Sequence, residues 1–246
     1  MDRSLYVAMT GATQVMRAQE AVSHNLANAS TVGFKSELSA FQSLPVLGQG
    51  EATRINAVAR GIGADTTQGS VTSTGRSLDV AVQGSGWIAV QAPDGSEGYT
   101  RAGDLQLTAD GLLTDASGHP VIGNGGPINL PASAQLLIGE DGTISTVPIG
   151  EGPSTVAALD RLRLVNPDPS QLVQGGDGLM HLVGGGNAAP DTTVRVTSGA
   201  LENSNVNASS ELVKMIALSR QYDMQIKSIK ASEDNAASAS KLLQSN

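Results

Sequence analysis

The sequence predicts an α+β protein in which a helix at each end of the chain flanks a central, mostly antiparallel β region. Both ends carry apolar residues at the alternating three- and four-residue spacing of helices that pack like coiled coils. The middle consists of short β-type runs separated by turn residues. We therefore expect four segments: a first helix over 1–35, an extended connector over 36–77, a central β domain over 78–200 and a last helix over 201–246.

Each predicted helix has one apolar stripe. The N-terminal stripe comprises Leu5, Ala8, Ala12, Val15, Gln19, Val22, Leu26 and Ala29. The C-terminal stripe comprises Ala208, Leu212, Met215, Ser219, Tyr222, Ile226, Ile229, Glu233, Ala236, Ser240 and Leu243. Asp2 and Asn207 are the residue types that favour N-cap positions, so we expect the helices to begin directly after them.

The middle of the chain reads as antiparallel strands. The clearest runs are LDVAVQ (78–83), WIAVQ (87–91), DLQLT (104–108), LLT (112–114), PVIG (120–123), QLLIG (135–139), TISTV (143–147), LRLV (162–165), LMHLV (179–183) and TVRVTS (193–198). Asp-Gly pairs at 94–95, 110–111, 141–142 and 177–178 separate several of them. Asp-Gly favours hairpin turns because glycine tolerates positive φ, so these pairs predict hairpins.

The composition of the stripes bears on function. Many of their positions hold small or polar residues, and each buried CH₂ contributes only ~0.8 kcal/mol. A helix pair built from such residues would be marginal, which predicts that the helices gain stability from other subunits. An intramolecular helix pair packed on the sheet is the alternative that periodicity leaves open.

Composition also excludes several function classes. A net charge of −8 and only six aromatic residues argue against binding to nucleic acid, and the absence of cysteine removes thiolate catalysis and thiolate metal sites. The three histidines, His24, His119 and His181, are far apart in sequence, and no phosphate-binding glycine motif is complete. We expect no catalytic, metal or cofactor site and no small-molecule substrate. The N-terminus lacks the apolar core of a secretory signal, and no run approaches a membrane span.

The stretch NLANASTVGFKS (25–36) ends the first predicted helix. Gly33 is expected to adopt positive φ and to end the helix as a C-cap, and the asparagine side chains to bind backbone groups freed there. Phe34 is expected to anchor the turn in an apolar pocket. Our hypothesis is that this run sets the register between subunits rather than binding a ligand.

Three parts of the chain resemble the flagellar axial proteins, the rod and hook proteins of the bacterial flagellum. The first is the motif formed by Asn25, Leu26, Ala27, Asn28, Thr31, Gly33, Phe34 and Lys35. The second is the C-terminal stretch 204–243, and the third is the β stretch 78–113. Hook subunits usually carry an additional outer domain, so the length of this chain favours a rod protein.

The resemblance implies a structural role without a cofactor. It implies a subunit of the proximal rod that links the inner basal body to the distal rod and transmits torque across the periplasm. The terminal helices would form an inner tube layer with the β domain outside, and the partners would be copies of this chain and other rod proteins. The resemblance also implies export through the flagellar type III apparatus without a cleaved signal peptide. Alternatives are the distal rod protein of the same family and a secreted periplasmic binding or enzymatic module.

The predicted assembly interface combines both stripes with the motif between helix and connector. It comprises Leu5, Ala12, Val15, Val22, Leu26, Asn25, Asn28, Gly33, Phe34, Leu212, Met215, Tyr222, Ile226, Ile229 and Leu243.

Overall fold

The computed structural model describes residues 3–45, 55–131, 135–147 and 157–244, and it confirms an α+β protein with a helix at each end. The helices are α1 (Arg3–Ala27) and α2 (Ala208–Gln244), and Pro169–Gln171 forms a short 3-10 helix. The strands are β1 (Glu37–Pro45), β2 (Ile55–Ala64), β3 (Val71–Ser73), β4 (Val80–Gln83), β5 (Trp87–Gln91), β6 (Glu97–Thr100), β7 (Gln106–Leu107), β8 (Leu113–Thr114), β9 (Gln135–Ile138), β10 (Thr143–Val147), β11 (Ala157–Arg161), β12 (Leu164–Val165), β13 (Leu172–Gln174), β14 (Met180–Leu182), β15 (Arg195–Ser198) and β16 (Ala200–Glu202).

The chain divides into two compact units. The first, here called the helical unit, consists of Met1–Ala27, Glu37–Ile62 and Asn207–Asn246, and so contains α1, α2, β1 and most of β2. The second, here called the β unit, consists of Asn28–Ser36 and Gly63–Val206. Residues 36–77, expected as one extended connector, are thus shared between the two units and contain three strands.

The ends of the helices follow from local chemistry. Asn207 is the N-cap of α2, as predicted, because its side-chain oxygen accepts a hydrogen bond from the Ser210 amide at 3.0 Å. The predicted cap at Asp2 lies outside the described residues. α1 ends at Ala27, and a turn follows it over 28–30. The expectation that Gly33 caps this helix is therefore wrong, since Gly33 lies well beyond the last helical residue.

α1 and α2 pack against each other within the helical unit as an antiparallel pair. A Cβ on Gly11 would lie 3.1 Å from the side chain of Gln225, and Asn25 and Glu211 line one cavity at the other end of the pair. This register brings Arg3 level with Glu233. Because α2 is the longer helix, with 37 residues against 25, its last turns continue past the beginning of α1.

The β unit is built from antiparallel strands, as the sequence predicted. Its largest sheet has five strands in the order β12-β5-β6-β14-β13, and a second has three in the order β11-β10-β9. The remaining pairs are β15-β4, β16-β3 and β7-β8. Every strand pair whose register the structure describes is antiparallel.

Strand β5 explains why its sequence is a continuous apolar run. Successive side chains of a strand point to opposite faces of the sheet. Ile88 and Val90 pack into one core cluster, whereas Trp87 and Ala89 pack into another, and both clusters are buried. Strand β5 is therefore covered on both faces.

The four predicted Asp-Gly turns are present. In each of them the glycine has positive φ, between 81° and 85°, while no non-glycine residue does among those the structure describes. A two-residue type I′ turn would require positive φ at both residues. The turns are therefore slightly longer loops, as between β5 and β6, where the Ala92 amide donates to the Ser96 carbonyl at 2.9 Å.

Candidate assembly site

The inner face of α1 is buried within the helical unit itself. Ala8, Ala12, Val15, Ala18 and Val22 are each at most 8% exposed. Their small side chains allow α2 to approach closely, which is how a helix pair with little side-chain volume can still exclude water. The predicted stripe therefore serves first as the contact between the chain's own two helices.

The residues predicted for the assembly interface fall into different environments. On α1, Ala12, Val15, Val22 and Asn25 are buried, and Leu5 and Leu26 are half-buried. On α2, Met215, Tyr222, Ile226 and Ile229 are half-buried, Leu212 is 48% exposed, and Leu243 lies in the last turn of the helix. Gly33 is buried and Asn28 and Phe34 are half-buried in the β unit.

Both helices leave a second apolar face exposed, and of its residues the sequence analysis had assigned only Leu212 to the interface. On α1 this face comprises Tyr6, Met9 and Met16, which are 49–53% exposed. On α2 it comprises Leu212, Val213, Ile216 and Met224, which are 48–67% exposed. These residues, here called the outer apolar faces, lie on the side of each helix opposite its buried positions. Contiguous exposed apolar surface of this kind marks sites of protein association.

A signal for the outer apolar faces was present in the sequence. Tyr6, Met9 and Met16 repeat at helical spacing, and so do Val213 and Ile216, but each lies one residue, or about 100° around the helix, beyond a position of the stripes used for the prediction. A helix with two apolar stripes has a partner on two sides. Assigning a single stripe to each helix therefore concealed the second surface.

The end of the predicted motif, here called the junction segment (28–36), is held within the β unit. The Gly33 amide donates to the Glu202 carbonyl at 2.7 Å, and Gly33 has a φ of 68°. A Cβ at this position would lie against the backbone of Arg101 and Ala102, closer than van der Waals contact allows. The positive φ predicted for Gly33 is confirmed, but glycine is needed here because the backbone of Arg101 and Ala102 lies so close.

Lys35 joins this segment to a buried ion network. Its Nζ lies 2.6 Å from Oε1 of Glu202, and Nη1 of Arg101 lies 2.8 Å from Oε2 of the same carboxylate. The three side chains are at most 3% exposed. Burial lowers the pKa of Lys35, an effect that the hydrogen bond and charge of Glu202 oppose. One carboxylate thus pairs with two cations from distant parts of the chain.

Further contacts complete the surroundings of this network. Lys35 Nζ also donates to the Thr67 carbonyl at 2.7 Å, and Arg101 Nη2 donates to the Gly84 carbonyl at 2.7 Å. The Arg101 guanidinium stacks over Trp87, with its carbon 5.4 Å from the ring centre. The junction segment is therefore fixed by charge and backbone contacts rather than by an apolar anchor alone.

Asn25 has a corresponding role in the helical unit. Its side-chain oxygen accepts from the Glu37 amide at 2.8 Å, and its side-chain nitrogen donates to the Glu37 carbonyl at 3.0 Å. The expected binding of asparagine to backbone groups is thus seen, but the backbone belongs to the start of β1 and not to the end of α1. These two bonds fix where the chain re-enters the helical unit.

Among the described residues, the histidines lie near carboxylates and form no metal site. His119 and His181 each lie 2.9 Å from a carboxylate four residues away, and His24 lies 3.8 Å from Glu37. Over the described ranges there is no cluster of His, Asp or Glu that could hold a metal ion. Within the same ranges no helix combines the length and hydropathy needed to cross a bilayer.

Exposed apolar faces on both helices are typical of proteins that associate with partners. Comparison with known proteins gives the particular family. The model for the flagella basal body rod protein matches residues 5–35, that for the flagellar hook protein FlgE/F/G D1 domain matches 81–146, and that for the flagellar basal body rod FlgEFG protein C-terminal region matches 197–242.

Whole-chain relatives agree with these matches. The chain is 45% identical to the flagellar basal-body rod protein FlgF of Escherichia coli (strain K12) and 43% identical to FlgF of Salmonella typhimurium (strain LT2), with 99% of each chain covered. It is 34% identical to the flagellar basal-body rod protein FlgG of Buchnera aphidicola from Acyrthosiphon pisum, over 98% of this chain and 100% of the relative. The chain belongs to the family of flagellar basal-body rod proteins. This membership confirms a structural, non-enzymatic role.

Proposed function

We propose that this chain is a subunit of the proximal rod of the bacterial flagellum and assembles through α1 and α2 with copies of itself and with other rod proteins. In this proposal the helices form the inner tube layer of a shaft that crosses the periplasm and transmits torque from the inner basal body to the distal rod. The observation that carries the proposal is the pair of outer apolar faces, which burial against neighbouring helices would remove from water.

Several features of the proposal extend beyond the exposed faces. Contacts between copies would be coiled-coil-like, since Tyr6, Met9, Thr13 and Met16 alternate three- and four-residue steps. The junction segment would set the register between subunits by fixing the direction in which the chain leaves α1. The chain would reach its place through the flagellar type III export apparatus, without a cleaved signal peptide.

The distal rod protein of the same family is the second candidate. Two relatives named FlgF match this chain at 45% and 43% identity, other relatives named FlgF match at 28–33%, and those named FlgG match at 33–34%. The resemblance described from the sequence implies a subunit of the proximal rod, and the two highest of these identities support that assignment. Identity therefore favours the proximal position.

Complementation tests the proposal. Cells that lack the chain should make no filament, and their rods should stop between the proximal and distal parts. The wild-type chain should restore swimming. Ile216→Asp should not, because Ile216 is 56% exposed in the single chain and an aspartate there would carry a charge into the apolar contact with a neighbour.

A matched control uses the same helix. Ser210→Asp adds the same charge at another exposed position near the start of α2, away from the line of Val213 and Ile216. It should swim like the wild type. Full motility of the Ile216→Asp strain, with wild-type amounts of exported protein, would contradict assembly through this face.

A further inference from the structure

We propose that a cavity in the helical unit, here called the Glu211 cavity, receives the Arg220 side chain of a second copy of this chain. The proposal rests on the proposed function, because it identifies one contact through which successive copies would join. Three observations carry it: a cavity with an apolar wall, a buried carboxylate oxygen without a donor among the described residues, and an exposed arginine between two exposed apolar residues of α2.

The Glu211 cavity lies between α1, β1 and the first turns of α2. Its volume is about 270 Å³, and most of its wall is apolar, with Val22, Leu38, Phe41 and Leu218 among the lining residues. A cavity of ~150 Å³ is large enough to bind benzene. The Glu211 cavity therefore has room for the stem and head of a long side chain.

Glu211 supplies the polar end of this cavity. The residue is 5% exposed, and its Oε1 accepts a hydrogen bond from Lys214 Nζ at 2.6 Å. Its Oε2 is buried and has no hydrogen-bond donor in the part of the chain that the structure describes. A buried acceptor without a donor is destabilising, so a donor that enters from outside gains binding energy there.

The charges of the cavity favour a cation. Two carboxylates, Glu37 and Glu211, line it together with one ammonium group, that of Lys214. Phe41 also lines the cavity and is 47% exposed. A guanidinium can bind a carboxylate and stack on an aromatic ring at the same time, whereas an ammonium group is held less well by such a pair. The ligand that fits is an arginine side chain.

Arg220 is the arginine whose surroundings require such a site. It is exposed on α2, one helical turn from Ile216 and one turn from Met224, within the outer apolar face. It makes no ion pair with the residues that the structure describes. Burial of that face in an assembly would remove the charge of Arg220 from water, and a buried carboxylate of a second copy would stabilise it together with Asp223, which lies one turn away on α2. Arg17, by contrast, already lines a polar cavity with Glu20 and Glu37.

The arrangement also allows the same contact to repeat from one copy of the chain to the next. The Glu211 cavity opens beside α1 and β1, whereas Arg220 lies on the outer apolar face, so the two partners of the contact are different surfaces of one chain. A contact between unlike surfaces is heterologous, and it continues from copy to copy into a ring or a helical filament. A rod requires a contact of this kind.

Charge exchange between two variants of the full chain tests the proposal. Glu211→Lys and Arg220→Glu each place like charges at the contact, so each purified variant should associate at least tenfold more weakly than the wild type in sedimentation velocity. In an equimolar mixture, contacts between unlike variants join opposite charges. The cavity of the Glu211→Lys chain receives the new glutamate of the Arg220→Glu chain, and the cavity of the Arg220→Glu chain receives the native Arg220 of the other variant. The mixture should recover association.

Controls keep the test decisive. Glu140→Lys and Arg195→Glu make the same charge changes at exposed positions of the β unit and should associate like the wild type. Circular dichroism of each monomer checks folding. If Glu211→Lys unfolds, Glu211→Gln, which keeps the shape of the side chain, replaces it as a single variant that should also associate more weakly, and Arg220→Glu alone then decides the contact.

Two results would overturn the contact. One is an Arg220→Glu chain that associates like the wild type, and the other is a mixture that stays as weak as its components. If Ile216→Asp still prevents rod formation in cells in either case, the proposed function stands and only this contact fails.

Discussion

The β unit and the helical unit differ in how completely they bury their apolar side chains. In the β unit, Val80, Val82, Ile88 and Val90 are completely buried, and the sheets cover one another. In the helical unit the buried apolar positions are alanine and valine, while the described methionine, leucine and isoleucine side chains are half-buried or exposed. The β unit thus buries large apolar side chains completely, whereas the helical unit buries them only in part.

The difference indicates where each unit obtains its stability. The β unit removes large aliphatic side chains from water within a single chain, which is the main favourable contribution to folding. The helical unit leaves many apolar side chains in contact with water, and they would be buried only when a neighbouring molecule binds. We therefore expect the β unit to fold alone and the helical unit to be marginal in the free chain. Trp87, the only tryptophan, reports on the β unit, and circular dichroism reports mainly on the helices.

The largest expected effect comes from the ion network of the β unit. Glu202→Ala leaves the buried cations Lys35 and Arg101 without their carboxylate, which should lower the free energy of unfolding by about 3–5 kcal/mol. Denaturant unfolding followed by Trp87 fluorescence measures it. Glu140→Ala, at an exposed position of the same unit, should change stability by less than ~0.5 kcal/mol. Equal stability of the two variants would show that the network contributes little.

Gly33→Ala should have the next largest effect. Its Cβ meets the backbone of Arg101, and its φ is strained for any side chain, so a loss of roughly 2–3 kcal/mol is expected in the β unit. Gly118→Ala is the matched control, because Gly118 has a φ of 90° but open space around the Cβ position. The difference between these variants isolates the close contact. If both lose the same amount, only the backbone angle matters at Gly33.

A pair of valines tests the independence of the two units directly. Val82 is buried in the β unit and Val15 is 1% exposed in the helical unit. Truncation to alanine removes two carbon atoms in each case, a loss of roughly 1.5 kcal/mol in transfer free energy alone. Val82→Ala should shift the Trp87 transition, and Val15→Ala should shift only the helical signal. A shift of both signals by either variant would mean that the units unfold together.

The smallest effect concerns Asp104 in the β unit. Burial, together with the charges of Asp115 and Asp79, raises the pKa of Asp104 above 3.8, and its Oδ1 is buried without a hydrogen-bond partner among the described residues. A raised pKa in the folded state stabilises the fold at low pH, and this contribution is lost as pH rises through the folded pKa.

Asp104→Asn should therefore stabilise the β unit at neutral pH, by no more than about 1 kcal/mol, and should flatten its pH dependence above 3.8. Thermal unfolding at acidic and neutral pH measures the change. Glu140→Gln provides the control, since its side chain is exposed. An Asp104→Asn protein less stable than the wild type at neutral pH would contradict the assigned cause.

The sequence predicted the parts of the fold that local patterns determine. The helices at both ends, the strands WIAVQ and TISTV and the four Asp-Gly turns depend on periodicity and backbone preference over a few residues. Strand β6 was missed because Gly98 weakens its pattern, and the structure gives the reason for that glycine: a Cβ there would lie 2.7 Å from Leu179. Strands β1 and β2 lie in a segment of Gly, Thr, Ser and Gln that read as a connector.

The surfaces that matter for association were harder to predict. Lys35 and Glu202 are separated by 167 residues, so no local pattern could pair them. The stripe containing Ala12 and Val15 was recognised correctly as a packing surface, but the antiparallel α2 covers it within the chain. The positions available to a partner are those left over after this pairing. They could be identified only once the two helices had been placed side by side.

The unequal lengths of the two helices have a consequence for the free chain. Residues 234–244 of α2 extend past the level of Arg3, about 16 Å of helix at 1.5 Å per residue, with no α1 turn beside them. An isolated helix of this length is barely stable in water. Amide protons there should exchange with deuterium faster than those near Met215. A neighbouring molecule that docks on this overhang would slow their exchange. The protection of these amides therefore measures when the next subunit binds.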